Sequence, residues 1–179
     1  MLPHLIGLNR DAPVPVAVPP PKGFQVPLLP IKFANLVSGR LSGRGATEAQ
    51  KNGLRYERKA QDYLRRMFGV YFYDQPSIAF EDQRGQGIAI PDGLAVGEDF
   101  AAIFELKFQH MPESWWQLRR KYEPLVQWMW PQSRIVLVEV CASIDPEMPY
   151  PERFEIVEDL EAYVAEAPSG ALGVFQWKS

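Results

Sequence analysis

Apolar positions recur at helical spacing through Tyr56, Ala60, Tyr63, Leu64 and Met67, then give way to shorter apolar runs. The 3.6-residue period predicts an amphipathic helix. Thr47 followed by Gln50 is a capping-box pattern for its start, and Gly69 after Phe68 is a stop. Strand-like segments follow near 70–81, 88–96 and 100–108. The turn residues Gly97-Glu98-Asp99 predict a hairpin between the last two. Pro112, Glu113 and Ser114 open a second helix, with Leu118, Tyr122, Leu125 and Met129 along one face and a kink expected at Pro124. The run RIVLVEV at 134–140 is almost continuously β-branched, as in a strand covered on both faces. Beyond Cys141 come a Pro-rich loop, a short helix around Val157–Ala165 and a last strand in ALGVFQWK. The order helix, three strands, helix, strand predicts an α/β domain whose central mixed sheet is flanked by helices.

The chain before that helix has a different texture. Residues 11–30, DAPVPVAVPPPKGFQVPLLP, are rich in proline and valine, a composition that excludes a helix and favours extended polyproline geometry. Val14, Val16, Val18, Phe24, Leu28 and Leu29 predict an arm that packs on its own domain or on a second subunit in a homodimer. The tryptophan-rich stretch after residue 110 offers aromatic area to receive it. Residues 31–46, which carry Arg40 and Arg44, read as a Gly/Ser-rich basic connector. The organisation expected is thus an arm and connector over 1–46 and a domain over 47–179 with an acidic C-terminal extension.

The stretch FAAIFELKFQH at 100–110 interrupts its own pattern, because Glu105 and Lys107 stand in a strand that otherwise reads as core. Burying an unpaired charge is costly. Residues i and i+2 of a strand share a face with Cβ atoms roughly 6–7 Å apart, so Glu105 and Lys107 project together, and Phe104, Leu106 and Phe108 enter the opposite layer. A four-residue connection over Gly97–Phe100 puts Asp92 opposite Glu105. Two carboxylates converging beside a lysine repel one another unless a cation joins them, and Mg²⁺, with its preference for hard oxygen ligands and retained waters, suits that place.

Composition narrows the class. With 46% hydrophobic and 23% charged residues over 179 positions, the chain has the make-up of a globular protein with a sizeable core. The longest apolar runs fall far short of the roughly 20 residues a membrane helix needs, and the start lacks a signal-peptide pattern. A lone cysteine, Cys141, excludes an internal disulfide and fits a reducing cytoplasm, and with only two histidines, His4 and His110, a zinc site is not expected. The net charge of −3 is uneven: residues 32–134 hold 15 basic and 12 acidic side chains, whereas 135–179 hold 2 and 9. The mildly basic centre is compatible with a polyanionic partner and equally with a solvated surface.

Ile90-Pro91-Asp92 followed by Glu105-Leu106-Lys107 resembles the motif of the PD-(D/E)XK nuclease superfamily, and the element order over about 47–140 is similar to its restriction-endonuclease-like core. The resemblance implies metal-dependent hydrolysis of DNA with Mg²⁺ or Mn²⁺. It implies that Asp92, Glu105 and the Leu106 carbonyl bind one or two metals, that Lys107 orients or activates the attacking water, and that Glu57, in Gly53-x-x-x-Glu57, completes the site from the preceding helix. A glutamine and then a tyrosine on the following helix mark the branch that resembles RecB nuclease domains and lambda-type exonucleases. Gln117 and Tyr122 correspond, with one residue more between them than in Gln-x-x-x-Tyr. A second ExK triplet, Glu57-Arg58-Lys59, lies in a helical pattern, where i and i+2 diverge.

Arg55, Arg58 and Lys59 on the first helix, and Arg119, Arg120, Lys121 and Tyr122 on the second, are candidates for holding the DNA backbone, since phosphate contacts dominate affinity. His110 reads as a loop residue and the tryptophans as core or interface anchors. The function expected is a structure-directed nuclease in recombination, repair or phage DNA processing, with DNA and a recombination or repair protein as partners. The alternative is a non-catalytic binding module that keeps the fold.

Overall fold

The computed structural model describes residues 15–37, 48–145 and 147–178, with 48–52 described by backbone alone. Thr47 and the Gln50 side chain of the expected capping box, Val14, Arg40 and Arg44 lie outside what is described. The elements are β1 (Phe33–Val37), α1 (Glu48–Phe68), β2 (Phe72–Asp74), β3 (Ser77–Asp82), β4 (Gly85–Ala89), β5 (Gly93–Val96), β6 (Phe100–Gln109), α2 (Pro112–Trp115), a π-helical segment (Trp116–Tyr122), α3 (Glu123–Met129), β7 (Arg134–Ser143), β8 (Glu155–Val157), α4 (Leu160–Glu166) and β9 (Leu172–Gln176). Among these described residues no helix is long and apolar enough to cross a membrane.

A mixed six-stranded sheet in the order β2-β5-β6-β7-β9-β8 forms the centre. Its β2, β5 and β6 are antiparallel neighbours, and β6, β7, β9 and β8 run parallel. Helices cover both faces. Alternation along the strands sends Ala102, Phe104, Leu106, Val136, Val138 and Val140 to the layer holding Tyr56, Ala60 and Leu64 of α1. Ile103, Ile135 and Leu137 go to the opposite layer, which holds Leu118, Leu125 and Val126. Each large apolar side chain so buried contributes roughly 1.5–3 kcal/mol. The helical stripe read in α1 is therefore its sheet-facing side, and Gly69 ends the helix at φ 57°, in the left-handed region.

Three strand assignments change. The segment read as one strand over 70–81 is two, β2 and β3, broken at Gln75, whose φ of 45° turns the chain out of the central sheet. The segment 88–96 also divides, at Ile90-Pro91-Asp92, because proline supplies no ladder donor. Residues 33–37, expected in a connector, form β1, which joins β3 and β4 in a separate three-stranded antiparallel sheet.

The described part of the arm lies on its own domain. The Val16 N–H donates to the Tyr150 carbonyl at 3.0 Å, Phe24 meets Trp116 edge to face with ring centroids 6.0 Å apart, and Lys32 N–H donates to the Glu81 carbonyl at 2.9 Å. These contacts give the ordered backbone a receiving surface, which offsets the entropy lost on fixing it.

The second helix runs on through Pro124. Its backbone stays right-handed helical across both junctions, but the middle seven residues, Trp116–Tyr122, widen into a π-helix. Glu123 N–H donates to the Leu118 carbonyl, five residues back. A proline in an α-helix clashes with the carbonyl four residues before it, here that of Arg120, and a wider turn relieves that clash without breaking the rod.

Candidate active site

The β5–β6 hairpin pairs Gly93 with Phe104 and Val96 with Ala101, so Gly97–Phe100 is the four-residue connection read from the sequence. The backbone ladder ends one step before Asp92 and Glu105. There the Asp92 side chain takes over, its Oδ2 accepting the Leu106 N–H at 2.8 Å. The N–H and C=O of one residue leave a strand on the same side, so the Leu106 carbonyl faces this edge as well. Glu105 is 1% exposed, and its Oε1 accepts from Lys107 Nζ at 2.6 Å. Its Oε2 is buried without a hydrogen-bond donor. Phe104 and Leu106 enter the other layer as expected, whereas Phe108 is 54% exposed, against the edge of Tyr56.

Electrostatics reflect this crowding. Burial and then the Asp92 carboxylate push the Glu105 carboxyl up to about 8, against the pull of Lys107. Burial also raises Asp92, although the Leu106 N–H and Lys107 oppose it. Glu57 is raised by burial and then by Asp92, and lowered by Lys107, so α1 brings it within the field of the pair. Burial draws the Lys107 ammonium down, but Glu105, Asp92 and Glu57 together outweigh it and raise it. With its carboxyl held up to about 8, Glu105 keeps its proton at neutral pH beside the Lys107 ammonium.

Among the described residues no three His, Cys, Asp or Glu side chains close into a metal-binding cluster. The donor set that fits a divalent cation is Asp92, Glu105 and the Leu106 carbonyl, two hard anionic groups and one neutral oxygen that leave room for waters, and the donor-free Glu105 Oε2 is the atom such an ion would satisfy. Glu57 is near enough for Asp92 and Lys107 to shift its carboxyl.

Gln117 and Tyr122 both lie in the π-helical segment, where an i,i+5 pair shares a face, and the Gln117 side chain is near enough to ease the upward push that burial gives the Tyr122 hydroxyl. That hydroxyl in turn donates to the Ile90 carbonyl at 3.0 Å, tying the helix to the Ile90-Pro91-Asp92 turn. Tyr122, read from sequence as a DNA contact, is instead 2% exposed and structural in this role. Arg119 is corrected too: it bonds Glu123 at 2.9 Å, Glu152 and the Gly170 carbonyl, so its guanidinium is spent inside the protein. Arg55, Arg58, Lys59 and Arg120 are exposed, Arg120 lying over the Trp116 ring, and Lys121 is near enough to Glu105 to feel its charge.

No protein-family model, curated protein or solved structure matches this chain.

One group escaped the sequence reading. Glu139 on β7 stands in register with Glu105 on β6 and is fully buried. It accepts from Tyr150 Oη at 3.0 Å and Met111 N–H at 3.1 Å, and pairs with His110 Nδ1 at 3.0 Å. His110 lies in the loop between β6 and α2, as read from the sequence, but is buried there and stacked on Tyr150. The only advance signal was an acid inside RIVLVEV. Its bond to Met111 fixes where α2 leaves the sheet, and so where Gln117 and Tyr122 arrive.

The raised carboxylates give a pH signature. Between about 4.5, the ordinary glutamate value, and about 8 the folded protein holds a proton on Glu105 that the unfolded chain has lost. The native state binds more protons in that window, so stability falls as pH rises through it. The melting temperature in EDTA should therefore drop from pH 5.5 to pH 8.5, and Glu105→Gln should flatten the drop. A wild-type curve that is flat or rises would contradict this assignment.

Proposed function

We propose that the chain is a metal-dependent deoxyribonuclease of the PD-(D/E)XK type, with a restriction-endonuclease-like core made by α1, β2, β5, β6, the second helix and β7. The observation that carries this reading is the meeting of Asp92 and Glu105 at the frayed end of the β5–β6 ladder, beside Lys107. Asp92, Glu105 and the Leu106 carbonyl are the residues that would hold Mg²⁺ or Mn²⁺, with Glu57 adding negative charge nearby. When bound, the ion supplies polarisation of the phosphate and a more acidic water.

The chain's own groups do the rest. With a cation bound, Glu105 would stand as the carboxylate, its proton released to solvent, and the positive charge would offset its repulsion with Asp92. Lys107 is held by Glu105 at the sheet edge, where its ammonium can orient the attacking water and stabilise the charge that builds on the phosphorane oxygens. Tyr122 holds the Ile90 carbonyl and with it the Asp92 turn. The water oxygen bonds to phosphorus as the bond to the leaving sugar oxygen breaks, giving a phosphate monoester and a hydroxyl. Arg55, Arg58, Lys59, Arg120 and Lys121 are the cations that would meet the DNA backbone.

The test is incubation with linear duplex, single-stranded and branched DNA in Mg²⁺ or Mn²⁺ against an EDTA control. Cleavage only with metal is expected. Tight DNA binding without cleavage of any of them would make the protein a binding module built on the same fold.

A further inference from the structure

A cavity of about 510 Å³ opens beside the carboxylates, between α1 and the elbow that joins β2 to β3. It is within the size range of small-molecule sites. Glu57 and Ile90 form the wall it shares with the candidate active site, and Gln61, Gln75 and Ser77 line the rest with amide and hydroxyl groups. Leu54, 41% exposed, adds an apolar surface.

The charge balance speaks against a phosphate here. Glu57, Asp62 and Asp74 line the cavity against Arg58 and Arg65, and Arg65 is already held between Asp62 at 2.5 Å and Asp74 at 2.7 Å. The surplus is negative, so an anion is repelled. Glutamine amides each carry donors and an acceptor, which suits the mixed edge of a neutral nucleobase. The frame is rigid on this side: Gln75 N–H donates to the Asp92 carbonyl at 3.3 Å, and Gln75 is held at φ 45°, a conformation glutamine seldom adopts. Such backbone strain persists where the surroundings over-determine it, which is common at ligand sites.

We infer that this cavity receives an unpaired nucleobase flanking the scissile phosphate, so that the protein selects DNA with unpaired nucleotides. The inference rests on the nuclease reading for the neighbouring phosphate, and adds to it the class of substrate. A base inside a duplex stack cannot enter a side cavity without being extruded, which costs stacking and pairing; an unpaired base enters without that penalty.

Gln75→Gly tests it, because glycine accepts the left-handed backbone, keeps the N–H to Asp92 and removes only the amide side chain. Binding is read by fluorescence anisotropy with Ca²⁺ in place of Mg²⁺, using a single strand, the blunt duplex and a duplex with a central unpaired nucleotide. Wild type should bind the unpaired substrates at least about tenfold more tightly than the blunt duplex, and the variant should lose about tenfold on the unpaired substrates alone. Its melting temperature should not fall, and in Mg²⁺ its KM should rise with little change in kcat. Equal binding of all three DNAs by wild type, or an unchanged affinity in Gln75→Gly, would overturn the inference. Cleavage by wild type separates the two claims: a protein that prefers unpaired DNA but cuts none of it loses the nuclease reading and keeps the base pocket.

Discussion

Asp92→Asn and Glu105→Gln should each abolish DNA cleavage and leave the fold intact. The asparagine amide oxygen can still accept the Leu106 N–H that Asp92 Oδ2 accepts now, and the glutamine oxygen can still accept from Lys107. What each change removes is one negative charge from the pair proposed to hold the metal. A metal ion contributes several kcal/mol of transition-state stabilisation, and each 1.36 kcal/mol is tenfold in rate, so a loss of at least about a thousandfold is expected. Glu105→Gln should also melt higher than wild type at pH 8.5 in EDTA, since a neutral group replaces a buried acid that burial and Asp92 hold up to about 8. Steady-state cleavage, DNA binding in Ca²⁺ and thermal melts check the three parts. Cleavage at the wild-type rate by either variant would remove the site assignment altogether.

Lys107→Ala separates chemistry from binding. Its side chain is 22% exposed, its ammonium bonds Glu105, and Glu105, Asp92 and Glu57 favour its charge. If it orients the water and meets developing charge, its removal should lower kcat by about a hundred- to a thousandfold, the scale of losing one preorganised donor. DNA affinity should be largely retained, because the exposed cations on α1 and the second helix supply the backbone contacts. Parallel losses in affinity and cleavage would instead identify Lys107 as a phosphate anchor.

Much of this site was legible because local rules act on it. The spacing of Glu105 and Lys107 forces them onto one strand face. The four-residue turn after Val96 sets the register that brings Asp92 to Glu105, and a one-residue slip would have sent the two to opposite faces. The α1 stripe and its end at Gly69 follow in the same way from helical period and from glycine's access to positive φ.

Other features depend on contacts between distant parts of the chain, and no local pattern announces them. FANLV became β1 because β3 offered it a partner, not because its own composition demanded a strand. Arg119 looked like one more basic residue on a polar face until Glu152, far along the chain, closed on it. Glu139 passed without notice inside an apolar run, and only the fold supplied His110, Met111 and Tyr150 as its partners.

By itself, then, the sequence determined the alternation of elements, the hairpin register and the shared face of Glu105 and Lys107, because each follows from backbone period and turn length. The tertiary structure alone decided that the Tyr122 hydroxyl turns inward, because the Ile90 carbonyl across the site gives it a partner. Likewise, the sharp turn at Gln75 opened a cavity beside the carboxylates, lined from α1 and the β2–β3 elbow, whose side chains share no sequence pattern.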